Sequence, residues 1–344
     1  MVKVKKNMKV KKNKVSGKKT ITLTYCDVSE NHNGMKKNGV LSNKGFSKLE
    51  LEIGREYLES IGIECDLVCL NDLLSGCELD EKKKIDEAYI LVMRDCVRKL
   101  LEIDSLDEIE KELDSFEWDK QYWDDRFKKV MNKLARENVC FDEISSDPDI
   151  KNGKGTIIGY DRVKLINLFR TMLVNILGDS ASNMVCEGNK YYDIEKCGIG
   201  WHGDSERKKV VGIRIGDSMK LCFNWFYYSK PIGEKLELVL NSGDGYIMCE
   251  KATGNDWKFR SQYTIRHSAG CDKFTSLDRF FTKEKEKEEI EKEKNVEINN
   301  DLIVEDDNKN NVIKVKDVVK SKKKLKIIDK DSEQYSMILK KFGI

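Results

Sequence analysis

The sequence predicts an α+β protein in which an α/β region precedes a module of short strands arranged as a sandwich or barrel. Three observations lead there. Beyond residue 183 come short runs rich in β-branched and aromatic residues, separated by turn residues, the pattern of an all-β sandwich or barrel. Between residues 20 and 150, strand-like and helix-like runs alternate, as in α/β folds. The two ends differ in composition: residues 1–19 hold nine Lys and no acid, and residues 283–294 are charged everywhere except Ile290. The chain divides accordingly into a basic disordered arm (1–19), an α/β N-terminal region (20–150), a β-core (151–282) and a charged, largely disordered tail (283–344).

Taken in order, Thr20-Ile-Thr-Leu-Thr-Tyr25 alternates polar and apolar residues and reads as a strand. A polar loop with Gly34 and Gly39 follows and contains His32. Leu49 to Ile61 has helical spacing, Ile63 to Leu70 reads as a strand, and Ala88-Tyr-Ile-Leu-Val-Met93 as a stronger one. Ser105 and Glu108 stand at capping-box spacing. After them Leu106, Ile109, Leu113, Phe116, Trp123, Phe127, Met131 and Leu134 recur at steps of three, four or their multiples, which predicts one long helix starting near Ser105. Asp147-Pro148 and Gly153-Lys-Gly155 mark a loop and a boundary. A second amphipathic helix runs from about Arg162 to Leu177, and Gly178 stops it. The β-module then spans about Asn183 to Phe281. In the tail, the apolar residues near Tyr335 to Leu339 suggest a short docking helix.

Net charge is +2 over 344 residues, so bulk charge selects no partner. Its distribution points to nucleic acid: the Lys-rich arm suits counterion release, and equally a nuclear-import signal or a solubilising tail. The eleven Cys are an odd number at irregular spacing, with no hydrophobic leader. This predicts reduced thiols and an intracellular protein, cytoplasmic or nuclear. Cys65, Cys69 and Cys77 lack the second close pair or nearby His of a zinc site. No run approaches the ~18 apolar residues of a membrane span.

Candidate chemistry lies in Cys197-Gly-Ile-Gly-Trp-His-Gly-Asp-Ser-Glu-Arg207, read as a strand entering a turn. Two of the chain's three histidines, His202 and His267, form with Asp204 the pattern His-x-Asp…His. Two histidines and a carboxylate are the ligand set of a facial non-haem iron site. Positions i and i+2 of an extended segment share a face, so one strand end offers both an imidazole and a carboxylate. The strands between the histidines are Val210-Val-Gly-Ile-Arg-Ile215, Leu221-Cys-Phe-Asn-Trp-Phe226 and Leu236-Glu-Leu-Val-Leu240, then the turn Asn241-Ser-Gly-Asp244, Tyr246-Ile-Met248 and Tyr263-Thr-Ile-Arg-His267.

The segment Val185-Cys-Glu-Gly-Asn-Lys-Tyr-Tyr-Asp-Ile-Glu-Lys-Cys-Gly-Ile-Gly-Trp-His-Gly-Asp-Ser-Glu206 resembles the AlkB-like branch of the Fe(II)- and 2-oxoglutarate-dependent dioxygenases. There an Asn-x-Tyr strand, here Asn189 and Tyr191, precedes the His-x-Asp. The turn Gly243-Asp244 before Tyr246-Ile-Met248 and the helix before the first core strand are also similar. The resemblance covers roughly residues 155–281. It implies a double-stranded β-helix, or jelly roll, with Fe(II) held by His202, Asp204 and His267. It also implies 2-oxoglutarate and O₂ as co-substrates, and hydroxylation or oxidative demethylation with release of succinate and CO₂. Asn189 and Tyr191 would hydrogen-bond 2-oxoglutarate. Its distal carboxylate would meet an Arg after the last His: Arg279 fits, with Lys273 as competitor. The branch's pair of Arg six apart occurs here only as Arg260 and Arg266, both before His267. The implied substrates include nucleic-acid bases, with a protein or small-molecule hydroxylase, or an inert nucleic-acid-binding module, as alternatives.

Trp201, Trp225, Tyr227, Tyr228 and Trp257 are candidates to stack on a base, or are core and rim aromatics. Arg207, Lys208 and Lys209 are candidates for phosphate contact at the pocket rim, or form a solvated turn. His32 either lines the site, if the N-terminal region folds over it, or is a surface loop histidine.

Overall fold

In the computed structural model, residues 18–281 and the strands Val312–Asp317 and Lys324–Asp329 are described. The arm up to residue 17, most of the charged tail and the expected docking helix lie outside the described residues. The elements are, in order, β1 (Thr20–Cys26), β2 (Val28–Glu30), β3 (Lys37–Gly39), α1 (Lys48–Ser60), β4 (Cys65–Cys69), β5 (Tyr89–Met93), α2 (Cys96–Leu101), α3 (Asp107–Asp114), β6 (Gln121–Asp124), β7 (Lys129–Asn132), β8 (Glu137–Asp142), β9 (Ile157–Gly159), α4 (Lys164–Leu177), β10 (Val185–Tyr191), β11 (Gly198–His202), β12 (Val210–Gly216), β13 (Met219–Tyr227), β14 (Lys230–Leu240), β15 (Gly245–Met248), β16 (Thr264–Gly270), α5 (Asp272–Thr275), β17 (Val312–Asp317) and β18 (Lys324–Asp329).

The protein is α+β, with a large and mostly antiparallel sheet. Eight strands run in the order β4-β5-β15-β12-β1-β10-β8-β9, and a second sheet of four strands runs β11-β16-β13-β14. Only the β8–β9 pair of the large sheet is parallel. Strands from both sides of residue 150 share the large sheet, and β1 sits at its middle, paired with β10 and β12. The α/β N-terminal region is therefore not a separate body: residues up to Ser276 form one compact unit. In the unit from Leu277 onward, β17 and β18 pair antiparallel.

The alternation in β1 decides which face looks where. Ile21, Leu23 and Tyr25 point to the helices: the Tyr25 ring stacks on Phe169, and its hydroxyl donates to the Ile166 carbonyl, both on α4. Thr20, Thr22 and Thr24, one position out of phase, face the other side. α1 begins at a capping box that sequence reading overlooked: Ser47 Oγ accepts from the Glu50 amide and Glu50 accepts from the Ser47 amide. Its buried Leu51, Gly54 and Leu58 face inward, and Gly54 lies against Ile176 of α4.

The long helix expected from Ser105 is overturned. The helix ends at Asp114, and β6, β7 and β8 follow. Ser105 Oγ accepts from the Asp107 amide, but no capping box forms. The misleading periodicity has a simple origin. In the β6–β7 hairpin Trp123 opposes Val130, at a separation that a helix also places on one face. Trp118 is buried and donates to the Leu113 carbonyl, which holds the chain where it leaves the helix.

Candidate metal centre

The two sheets enclose a cavity. Thr22, Thr24, Glu187, Asn189, Tyr191, Arg214, Tyr246 and Met248 reach it from the large sheet, and Ile199, His202, Leu221, His267 and Ala269 from the small one. His202 ends β11 directly opposite His267 on β16. Asp204 lies just beyond, its amide bonded to the Thr253 carbonyl at 2.9 Å. Gly203 between them packs on the Gly254 carbonyl and on Trp257, 2.8 Å from where a Cβ would begin. Any side chain there would push Asp204 away from the histidines.

Sequence reading and structure agree in bringing these three residues together. Their ligand-type atoms all lie within 4.8 Å of one another. Nε2 of His202 and Nε2 of His267 each stand 3.6 Å from Asp204 Oδ1. First-row metal bonds of about 2.1 Å place neighbouring ligand atoms roughly 3 to 3.5 Å apart, close to this spacing. The protons argue the same way. His202 Nδ1 is 2.7 Å from the Gly200 carbonyl, which only accepts, so this nitrogen donates. Burial, and then His267, pull the His202 imidazole down to about 3 against the opposing pull of Asp204. A neutral ring donating from Nδ1 turns the Nε2 lone pair toward the carboxylate. Burial alone would raise the Asp204 carboxyl, but Arg207 and then His267 hold it well below the usual range. Two acceptors thus face each other beyond hydrogen-bonding distance in a buried site. This arrangement is costly without a cation between them and suits a metal ion.

Arg207 is spoken for. It is buried and donates to Glu187 at 2.6 Å and to Glu206 at 2.8 Å. Lys208 donates to the Asn43 carbonyl and Lys209 to the Ser180 carbonyl. The basic run after His-x-Asp is therefore committed to the fold rather than presented to phosphates.

The candidate aromatics belong largely to the packing. Trp225 is fully buried and donates to the Leu70 carbonyl, Trp201 donates to the Ser276 carbonyl, and Tyr227 stacks on Tyr263. Tyr228 is exposed. Arg266 lies over the rings of Phe226 and Trp257.

Asn189 and Tyr191 do reach the cavity, in different conditions. The Asn189 amide is committed at both ends: its oxygen accepts from Arg136 Nε and Asn138 Nδ2, each at 2.7 Å, and its nitrogen donates to Glu187 at 3.0 Å. It positions other groups rather than awaiting a ligand. Tyr191 is buried with its phenol raised by burial, opposed by Arg136 and Arg214.

Arg214 of β12 is a buried cation of this cavity, and the expected Arg279 belongs to the unit from Leu277 onward. Arg279 is exposed, its guanidinium over the Phe280 ring, and the competitor Lys273 is likewise exposed over Phe274. Arg214 is 1% exposed and donates to Thr22 Oγ1 at 2.6 Å. Its Nε has no partner, and no carboxylate pairs with it among the described residues. Burial pulls its guanidinium below the ordinary value, with only Tyr191 and Tyr246 opposing. Sequence held a signal for it. In Val210-Val-Gly-Ile-Arg-Ile215 the period of two puts Arg214 on the face of Val210 and Gly212, opposite the aliphatic Val211, Ile213 and Ile215.

His32 is half-buried, and its ring stacks on Tyr122 of β6 at 3.6 Å. Burial, then Arg136 and Lys133, lower it to about 4. All eleven cysteines are free. No helix among the described residues is long and apolar enough to cross a membrane.

No known family model matches the chain. It is 42% identical, over 257 residues, to an uncharacterized protein of Acanthamoeba polyphaga mimivirus, a match covering 75% of this chain and 98% of that protein. The chain belongs to the same family as that viral protein.

Proposed function

We propose that this member of the mimivirus protein's family is an Fe(II)- and 2-oxoglutarate-dependent dioxygenase built on a double-stranded β-helix. The observation that carries the reading is the buried meeting of His202 Nε2, His267 Nε2 and Asp204 Oδ1, in the same cavity as the unpaired Arg214. Three protein ligands on one side of a metal leave open positions for a co-substrate and O₂. His202, Asp204 and His267 would hold the iron. When bound, iron with 2-oxoglutarate supplies O₂ activation coupled to oxidative decarboxylation, which yields succinate and CO₂ and hydroxylates or demethylates a substrate.

The chain's own contribution is positional and electrostatic. The Gly200 carbonyl keeps the His202 proton on Nδ1 and leaves Nε2 free to ligate. Arg207 keeps Asp204 anionic. Arg214 would take the distal carboxylate through the planar fork that suits a carboxylate. Thr22 orients that fork from the β1 side.

The test is anaerobic addition of Fe(II) and 2-oxoglutarate to the full chain. The expected result is a visible metal-to-ligand charge-transfer band, absent in His202→Ala and His267→Ala variants that keep the wild-type circular dichroism. Folded wild-type protein without a band would replace the reading by a binding module that uses the β-core as a scaffold.

A further inference from the structure

Two cysteines stand opposite each other at the base of the strands that carry the metal-site histidines. In the β11–β16 pair, Gly198 opposes Gly270 and Ile199 opposes Ala269. One residue further out, the Cys271 amide donates to the Cys197 carbonyl at 3.2 Å, so the pairing continues onto the cysteines. Cys271 is itself extended, at φ −72° and ψ 168°. Opposed residues joined by a backbone hydrogen bond in an antiparallel ladder have Cα atoms about 5.5 Å apart. A disulfide spans Cα separations of roughly 4.4 to 6.8 Å. Among the described residues no other two cysteines oppose each other across strands.

The glycine pair beside them sets this closeness. A Cβ at Gly270 would run into the Gly198 Cα and the Cys197 carbonyl, and one at Gly198 into the Ala269 carbonyl and the Phe274 ring. Glycine at both positions lets the two backbones meet there. Both cysteines are free thiols; Cys197 is buried and Cys271 partly exposed, so solvent reaches one sulfur of the pair.

We infer that Cys197 and Cys271 form a reversible redox pair that ties β11 to β16, with a peroxide as oxidant. The Cys271 thiolate attacks one peroxide oxygen and the O–O bond breaks. Cys271 becomes a sulfenic acid, and the other oxygen leaves as water with the thiol proton. The Cys197 sulfur then attacks the Cys271 sulfur. The S–O bond breaks and the hydroxyl leaves as a second water with the Cys197 proton. Two thiols lose two electrons, one S–S bond forms, and one hydrogen peroxide becomes two waters. A dithiol reductant reverses the change.

The position gives the bond a consequence. Cys197 lies five residues before His202, and Cys271 four after His267. Between the cysteine pair and the histidine pair the ladder shifts register, from Ile199 to His202. A disulfide on the far side of that irregularity fixes the register in which the two histidines face each other. The pair goes beyond the dioxygenase reading and does not depend on it, since it requires only the two strands.

The test treats the metal-free full chain with one equivalent of hydrogen peroxide. Free thiols should fall by two from the eleven of the reduced chain, and peptide mapping without reductant should find Cys197 joined to Cys271. Dithiothreitol should restore both thiols. Mapping the wild type needs no variant and decides the pairing by itself. No loss of thiols, peptides joining other cysteines, or Cys271 carried to a sulfinic acid without a cross-link would overturn the proposal. Cys271→Ser, at the partly exposed position, should form no disulfide, while the control Cys77→Ser should still form this one. The oxidised wild type should unfold in urea with an equilibrium constant lowered by roughly 30-fold or more, as closing a long loop does, and Cys271→Ser should show no such shift. A cross-linked protein no more stable than the reduced one would remove the role of the bond as a brace between the ligand strands.

Discussion

Arg207 and Arg214 are both buried beside the same cavity, and the fold treats them in opposite ways. Arg207 has two carboxylates within 2.8 Å and a cysteine sulfur at 3.6 Å. Arg214 has one threonine hydroxyl. A buried charge is tolerable when paired and hydrogen-bonded and expensive otherwise. The first corner is thus complete without a ligand and serves the architecture around Asp204. The second is left incomplete, as a site for an anion requires.

The largest expected effect breaks the complete corner. Arg207→Met strips Glu187 of its cation while leaving it buried, and removing one partner of such a pair costs roughly 3 to 5 kcal/mol. Urea denaturation should show that loss, and a change under about 1 kcal/mol would mean that the pair contributes no more than a surface one. At the incomplete corner the prediction inverts. Arg214→Gln should leave the apoprotein as stable as the wild type or slightly more so, yet weaken 2-oxoglutarate binding roughly 10- to 100-fold, the scale of charge-assisted hydrogen bonds. Titration of the iron complex checks both halves, and Arg279→Gln is the control expected to change that affinity less than about two-fold. If the effects of Arg214→Gln and Arg279→Gln were exchanged, the contrast between the corners would collapse.

The smallest expected effect is a pH dependence. His32 is held neutral, at about 4 against an ordinary 6.5. Between those values the unfolded chain binds a proton that the folded chain refuses, so stability falls as pH drops through this window and levels off below it. Replacing His32 by Gln should flatten that part of the stability profile, measured as denaturation midpoints from pH 7 to 4. An unchanged slope would place the titrating group elsewhere.

What was legible in the sequence follows from how local each signal is. The triad could be read because His-x-Asp is a local spacing and the second histidine stands in a later β-run of a chain with only three. β1, α4 and most of the C-terminal strands were legible for the same reason, since alternation and helical spacing are written along the chain. The β6–β7 hairpin was not, because Trp123 and Val130 meet across strands at a separation that helices also use.

Sequence alone determined which residues had the chemistry to ligate a metal and, along strands such as β12, which face was apolar. Tertiary structure decided the rest. It inserted Thr20–Cys26 between strands that lie far along the chain, took the basic run after Asp204 into internal pairs and carbonyl contacts, and committed Asn189 to Arg136. It also buried Arg214 in the cavity. The reason is physical: a residue type and its spacing set what a side chain is able to do, but whether a charge is buried, answered or left waiting depends on partners brought together only when distant strands pair.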